Sequence, residues 1–182
     1  VPVSRTKVIF DEYLYWSTST PDFQGIATEG FVYSFLLNAF STDLGYDSAR
    51  YVNLLGLLLA FLGLYWISRL FLQPTQAGWL AFLATFSSTS IYSYFLMPEM
   101  LHFGFTISLS AAAFWSLRLS GRESSLLFVV AAILAGLASL VKVHTVFLLP
   151  AFFIIFALGL RDRFGQTRAI LSAGAFVSLA LG

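Results

Sequence analysis

The chain contains no cysteine. Disulfide frameworks, thiolate nucleophiles and cysteine-ligated metals are excluded, and the redox compartment is left open. Charge is scarce: 10% of the 182 residues are charged, against about 25% in an ordinary soluble domain. There is no basic run and no stacking platform, so no nucleic-acid partner is expected. No nucleophile elbow, Walker loop, dinucleotide glycine fingerprint or zinc-protease motif occurs. A transferase of this composition would therefore draw on a lipid-borne donor rather than a cytosolic nucleotide. No signal-peptide pattern opens the chain.

What fills the chain instead is apolar. Hydrophobic residues make up 58%, and the mean hydropathy is +0.83. The fold class expected is all-α, a polytopic transmembrane helical bundle with an extracytoplasmic first loop carrying short interfacial helices. Residues 1–50 form that loop, with an apolar stretch, Phe31 to Phe40, suited to lie in the headgroup plane. Residues 51–182 hold about six spans: Tyr51 to Leu72, Ala77 to Met97, Met100 to Leu117, Ser125 to Val141, Val143 to Leu160, and an incomplete one from Ala169. That last run would reach only about 21 Å, short of a hydrocarbon core of about 30 Å, so a piece of a longer protein is expected. Short connections imply antiparallel neighbours. Small residues at 111–113 and at Ala132, Ala135, Gly136, Ala138 and Ser139 suit close helix packing.

Alternating these spans sorts the charges. One face receives Arg69, Arg118, Arg122, Arg161, Arg163 and Arg168, with only Glu123 and Asp162. The other receives Arg5, Lys7, Arg50 and Lys142 against Asp11, Glu12, Asp22, Glu29, Asp43, Asp47 and Glu99. The positive-inside rule makes the arginine face cytoplasmic. The acidic face is then extracytoplasmic, in a plasma, inner or endoplasmic-reticulum membrane. Tyr13, Tyr15, Trp16, Tyr33, Tyr46, Tyr51, Tyr92 and Tyr94 fall near that outer boundary, as an aromatic belt or as sugar-stacking surfaces.

Three polar clusters return to the acidic face. Asp11 and Glu12 are adjacent, so they point in different directions. A carboxylate partly desolvated beside the membrane is suited to act as a general base. Glu99 follows Pro98 at a helix start, where a carboxylate also offsets the helix dipole. His102 shares its face at a spacing of three, a pattern that can ligate a divalent metal with His144 or Asp11. No cofactor beyond that candidate metal is indicated. Lys142 stands between two long apolar runs, where an ammonium can bind a lipid phosphate or snorkel to the headgroups as an anchor. Arg50 is a second phosphate candidate at the head of the first span.

Four stretches carry a resemblance to a known family. They are Asp11-Glu12-Tyr13-Leu14-Tyr15, Gly45 to Leu54 with Arg50, Tyr92 to Leu101 with Pro98-Glu99, and Gly136 to Lys142 followed by Leu148-Leu149-Pro150. In order and spacing they resemble the GT-C superfamily of integral-membrane glycosyltransferases, in its protein O-mannosyltransferase and lipid A aminoarabinose transferase branch. The resemblance implies the N-terminal part of the transmembrane module, without its first helix and its C-terminal half. It implies a polyprenyl-phosphate-linked sugar donor, a lipid, glycan or protein acceptor, and inverting transfer outside the cytoplasm. Under it, Asp11 is the catalytic base, Glu12 supports it, Glu99 orients the acceptor or joins a metal, and Lys142 with Arg50 holds the donor phosphate.

Two other functions fit the composition. One is a non-catalytic polytopic scaffold or assembly subunit. The other is a polyprenyl-lipid transporter, against which stands the near absence of charge in mid-span.

Overall fold

The computed structural model describes residues 32–33, 35–37, 39, 48–86 and 98–181. Every element among them is helical. In chain order they are α1 (Ser48–Ser68), α2 (Pro74–Phe86), α3 (Glu99–Arg118) and α4 (Gly121–Val141). A 3₁₀ helix (Val143–Leu148), α5 (Leu149–Phe164) and α6 (Gln166–Leu181) follow.

Among the described residues four helical stretches are long and apolar enough to cross a membrane: Arg50–Ser68, Glu99–Arg118, Gly121–Val141 and Val143–Asp162. They point to a membrane protein. The other two expected spans are described only in part or are shorter. α2 is described over 13 residues, with residues 87–97 outside the described set, and α6 has 16 residues.

The helix ends follow local chemistry. Gly121, at φ +67°, turns the chain out of extended Ser120 into α4. Only a residue without Cβ takes that backbone conformation readily. α4 therefore begins earlier than the apolar run, carrying Arg122 and Glu123 in its first turn. At its other end Lys142 is extended, with φ −143° and ψ 119°. The chain then tightens into the 3₁₀ turn before Pro150 sits in the first turn of α5, the position where a missing N–H costs nothing.

Helix order in space departs from simple hairpins. α1 packs most extensively on α3, and the two run parallel. Gly56 meets the backbone of Met100 and Leu101, and Gly63 meets Ile107 and Ser108. A Cβ on Gly56 would stand 2.5 Å from the Met100 carbonyl carbon, so the two backbones touch. The Ser108 hydroxyl reinforces this seam by donating to the Leu59 carbonyl at 2.9 Å. Short loops predict antiparallel neighbours in chain order, but glycine faces let the first and third helices approach more closely than side chains would allow.

The second half of the chain is built around a phenylalanine cluster. Phe128, Phe152, Phe156 and Phe176 bring α4, α5 and α6 together, with ring centroids 4.7–6.0 Å apart. Alanines interleave with them: Ala132, Ala135, Ala169 and Ala173 are all buried. The expected small-residue seam is thus the inner face of α4.

The apolar stretch expected in the headgroup plane is helical at its described residues. Tyr33 and Leu37, one turn apart, are fully buried against Val52, Leu101, Phe105 and Val141. It packs on the end of the bundle where α3 begins.

Candidate functional site

That end carries the polar pairs that join distant parts of the chain. Lys142 Nζ donates to Glu99 Oε1 at 2.7 Å, across 43 residues of sequence. His102 Nε2 lies 2.6 Å from Thr145 Oγ1, across another 43 residues. The two pairs stack in register for a simple reason. Glu99 and His102 are three apart on an α-helix, so they share a face. Lys142 and Thr145 are three apart at the entry to a 3₁₀ helix, where positions i and i+3 eclipse. Each element therefore presents two polar side chains at the same spacing.

The hydroxyl geometry sets the direction of the second bond. Thr145 Oγ1 donates to the Ala138 carbonyl at 3.1 Å. Its single proton is thereby used, and His102 Nε2 is left as the donor of the 2.6 Å bond. Thr145 is 1% exposed, so this bridge holds the turn after α4 against α3. The backbone repeats the constraint, since Thr145 N donates to the Lys142 carbonyl at 3.0 Å.

The ion pair is only partly satisfied. The Lys142 side chain is 22% exposed and that of Glu99 40%. Glu99 Oε2 is itself buried, and it has no hydrogen-bond partner among the described residues. A carboxylate oxygen in that state is an acceptor awaiting a donor. Lys142 keeps two N–H groups beyond the one on Glu99. The pair can thus hold a donor group on one side and an anion on the other.

The structure brings Glu99 and Lys142 into one unit, where the sequence placed them in separate clusters. His102 turns to Thr145 rather than to a shared ligand set, and His144 is exposed, off the register of Lys142 and Thr145. Among the described residues no three of His, Asp and Glu gather to hold a metal ion. Of the candidate metal set of Glu99, His102 and His144, the first two each bond a partner on the opposite element, Lys142 and Thr145. Arg50 stands in the first turn of α1, above the level at which Gly56 meets Met100. Asp11 and Glu12 lie outside the described residues.

Sequence reasoning passed over Thr145. Its signal was available: a hydroxyl three residues after Lys142 in an otherwise apolar run, matching the spacing of Glu99 and His102. A serine-rich cavity of about 630 Å³, lined by Ser116, Ser120, Ser124, Ser125 and Ser172, lies at the arginine end. It does not coincide with the polar pairs.

No protein-family model, curated protein or solved structure matches this chain.

Proposed function

We propose that the chain belongs to a membrane glycosyltransferase that moves a sugar from a polyprenyl-phosphate donor to an acceptor on the extracytoplasmic face. The observation that carries this reading is the Glu99–Lys142 pair, with a buried carboxylate oxygen left without a partner among the described residues. It supplies an ammonium and a carboxylate at the end of a membrane bundle, the two groups that a phosphate-leaving, hydroxyl-accepting reaction requires. The charge asymmetry of the sequence favours the outer membrane face for that end.

In this mechanism Asp11 removes the proton of the acceptor hydroxyl. The acceptor oxygen attacks the anomeric carbon from the face opposite the phosphate, forming the new C–O bond. The bond to the phosphate oxygen breaks, and polyprenyl phosphate leaves with the electron pair. Lys142, held by Glu99, offsets the charge that develops on the leaving phosphate. Arg50 adds a second cation on that side. Glu99 Oε2 accepts from a second hydroxyl of the acceptor and orients it, and Glu12 supports the Asp11 loop.

The test is transfer of radiolabelled sugar from a polyprenyl-phosphate donor by the protein in vesicles, with and without chelator. Labelled product is expected, and Asp11→Asn is expected to reduce it by roughly 10²–10⁴-fold, the usual contribution of a general base. Turnover unchanged in Asp11→Asn would remove Asp11 as the base. Absence of any transfer would favour the scaffold reading, and lipid flux without covalent product the transporter.

A further inference from the structure

A second site stands at the arginine end. The cavity there, of about 630 Å³, is bordered by α3, α4, α5 and α6. Small-molecule pockets usually measure about 300–1,000 Å³. Phe128 and Leu160 form apolar walls, and Val129 and Phe164, which also line it, are 44% and 51% exposed. Its mouth is therefore partly apolar. The rest is hydroxyl, from the five serines.

These hydroxyls differ in what they have left to offer. Ser124 Oγ donates to the Ser116 carbonyl at 2.6 Å, and Ser116 Oγ to the Ala113 carbonyl at 2.7 Å. Each has spent its one proton on backbone, and its oxygen remains an acceptor. Ser125 Oγ reaches the Gly121 carbonyl only at 3.4 Å, too long for a strong O–H···O bond. Ser172 makes no side-chain hydrogen bond among the described residues. A ligand that satisfies this wall must bring donors of its own.

The charges turned toward the cavity are cations. Arg122 precedes Ser125 by three residues on α4, and Arg168 precedes Ser172 by four on α6, so each shares a face with a lining serine. Both arginines are exposed, and neither makes a hydrogen bond or ion pair among the described residues. The acids face elsewhere. Glu123 lies one turn before Leu127, which lines a different cleft of about 390 Å³. Asp162 is two residues from both Leu160 and Phe164, on the opposite side of α5, and accepts from Arg161 at 3.3 Å. Water alone would satisfy the serines, but it would leave two cations without a counter-charge and the apolar walls wet.

We infer that this cavity binds a phosphorylated polyol, its phosphate meeting Arg122 and Arg168 and its hydroxyls donating to the serine oxygens. Such a group combines an anion with several donors and carries no cation to oppose the arginines. The same chemistry occurs as a lipid headgroup, in phosphatidylglycerol, and free, in glycerol 3-phosphate. The site is independent of glycosyl transfer and lies at the opposite end of the helices from Glu99 and Lys142.

Native mass spectrometry of the whole chain in an uncharged detergent reads the bound species. The probes are phosphatidylglycerol, phosphatidylcholine, glycerol 3-phosphate and phosphatidylmethanol, which keeps the anionic phosphate but has no headgroup hydroxyl. Phosphatidylglycerol is expected to bind more tightly than phosphatidylcholine by roughly fivefold for each arginine engaged. It should exceed phosphatidylmethanol by roughly two- to tenfold, the range for one net hydrogen bond. Arg122→Gln with Arg168→Gln should remove the first preference. Ser125→Ala with Ser172→Ala should remove the second and leave the first. Neither pair of side chains holds one helix to another, so the fold is kept. Glycerol 3-phosphate bound with the same dependence on both pairs assigns the site to a soluble ligand, and binding of the lipid alone assigns it to the headgroup. Phosphatidylglycerol bound no better than phosphatidylmethanol, with no binding of glycerol 3-phosphate, would overturn the inference. So would preferences that survive both pairs of substitutions.

Discussion

The two ends of the bundle use their charged residues in opposite ways. At the end where α3 begins, side chains meet side chains from remote sequence: Lys142 with Glu99, His102 with Thr145. At the other end, arginines turn to the backbone of the loop after α1, Arg69 to Leu72 three residues on and Arg118 to Leu70 across 48 residues, and Arg161 pairs with its neighbour Asp162. The first arrangement joins three elements and leaves Glu99 Oε2 without a partner among the described residues. The second caps chain ends where helical carbonyls run out of partners. Charge at a membrane boundary is therefore not one kind of feature. Pairing of side chain with side chain builds a site, whereas pairing of an arginine with loop backbone anchors a helix end.

The sharpest way to break the contrast is at the α1–α3 contact. Gly56→Ala places a methyl against the Met100 backbone, one residue from Glu99. Overpacking of this kind costs about 1–3 kcal/mol. Thermal unfolding in detergent should show the loss, and the polar end should loosen while the arginine end holds. Alanine tolerated with full stability would mean that the helices do not touch there.

A double-mutant cycle on Glu99→Gln and Lys142→Met sharpens the site side of the comparison. The pair is neither fully exposed nor buried, so its coupling should be about 1–2 kcal/mol, between surface and buried values. Zero coupling would demote it to two independent interfacial anchors. Thr145→Val comes next. It removes the acceptor of the His102 bond and the donor to Ala138, with an expected cost of about 1 kcal/mol. Stability equal to the parent would show that the bridge does not hold the turn. The smallest effect is expected at the arginine end. Arg69→Gln should cost about 0.5 kcal/mol, the low end for a hydrogen bond, since this half-buried bond caps a helix end beside water. A loss as large as that for Gly56→Ala would erase the distinction between the ends.

Much of this was legible in the residues. The apolar runs mark the helices, because a chain in lipid must satisfy its backbone internally. Start and stop signals were partly legible. Pro98-Glu99 opens α3 where it was expected, and Lys142 is the single-residue break between two apolar runs. The start of α4 was not, because hydropathy counts Arg122 and Glu123 against a span although Gly121 begins the helix before them. Glu99, His102 and Lys142 were each singled out, but not the pairing of Glu99 with Lys142 or of His102 with Thr145. The candidate metal set joined Glu99 with His102 by spacing on one helix, and spacing on one helix does not report what faces it. Spacing shows which side chains share a face and nothing of what stands opposite. Asp11 and Glu12 lie outside the described residues, and their place beside Glu99 rests on the proposed function.

By itself the sequence determined an all-helical chain with membrane-length spans, six of its eight arginines gathered at one set of helix ends and its lone lysine among the spans at the other. Those properties follow from composition and period, which are local. Only the tertiary structure decided that α1 lies parallel to α3, that Lys142 reaches Glu99 and that Thr145 completes the row. Each of these depends on glycine faces at 56, 63 and 104 bringing two backbones into contact, and on a 3₁₀ turn whose spacing of three matches one helical face. Complementarity between two surfaces is a property of neither strip of sequence alone.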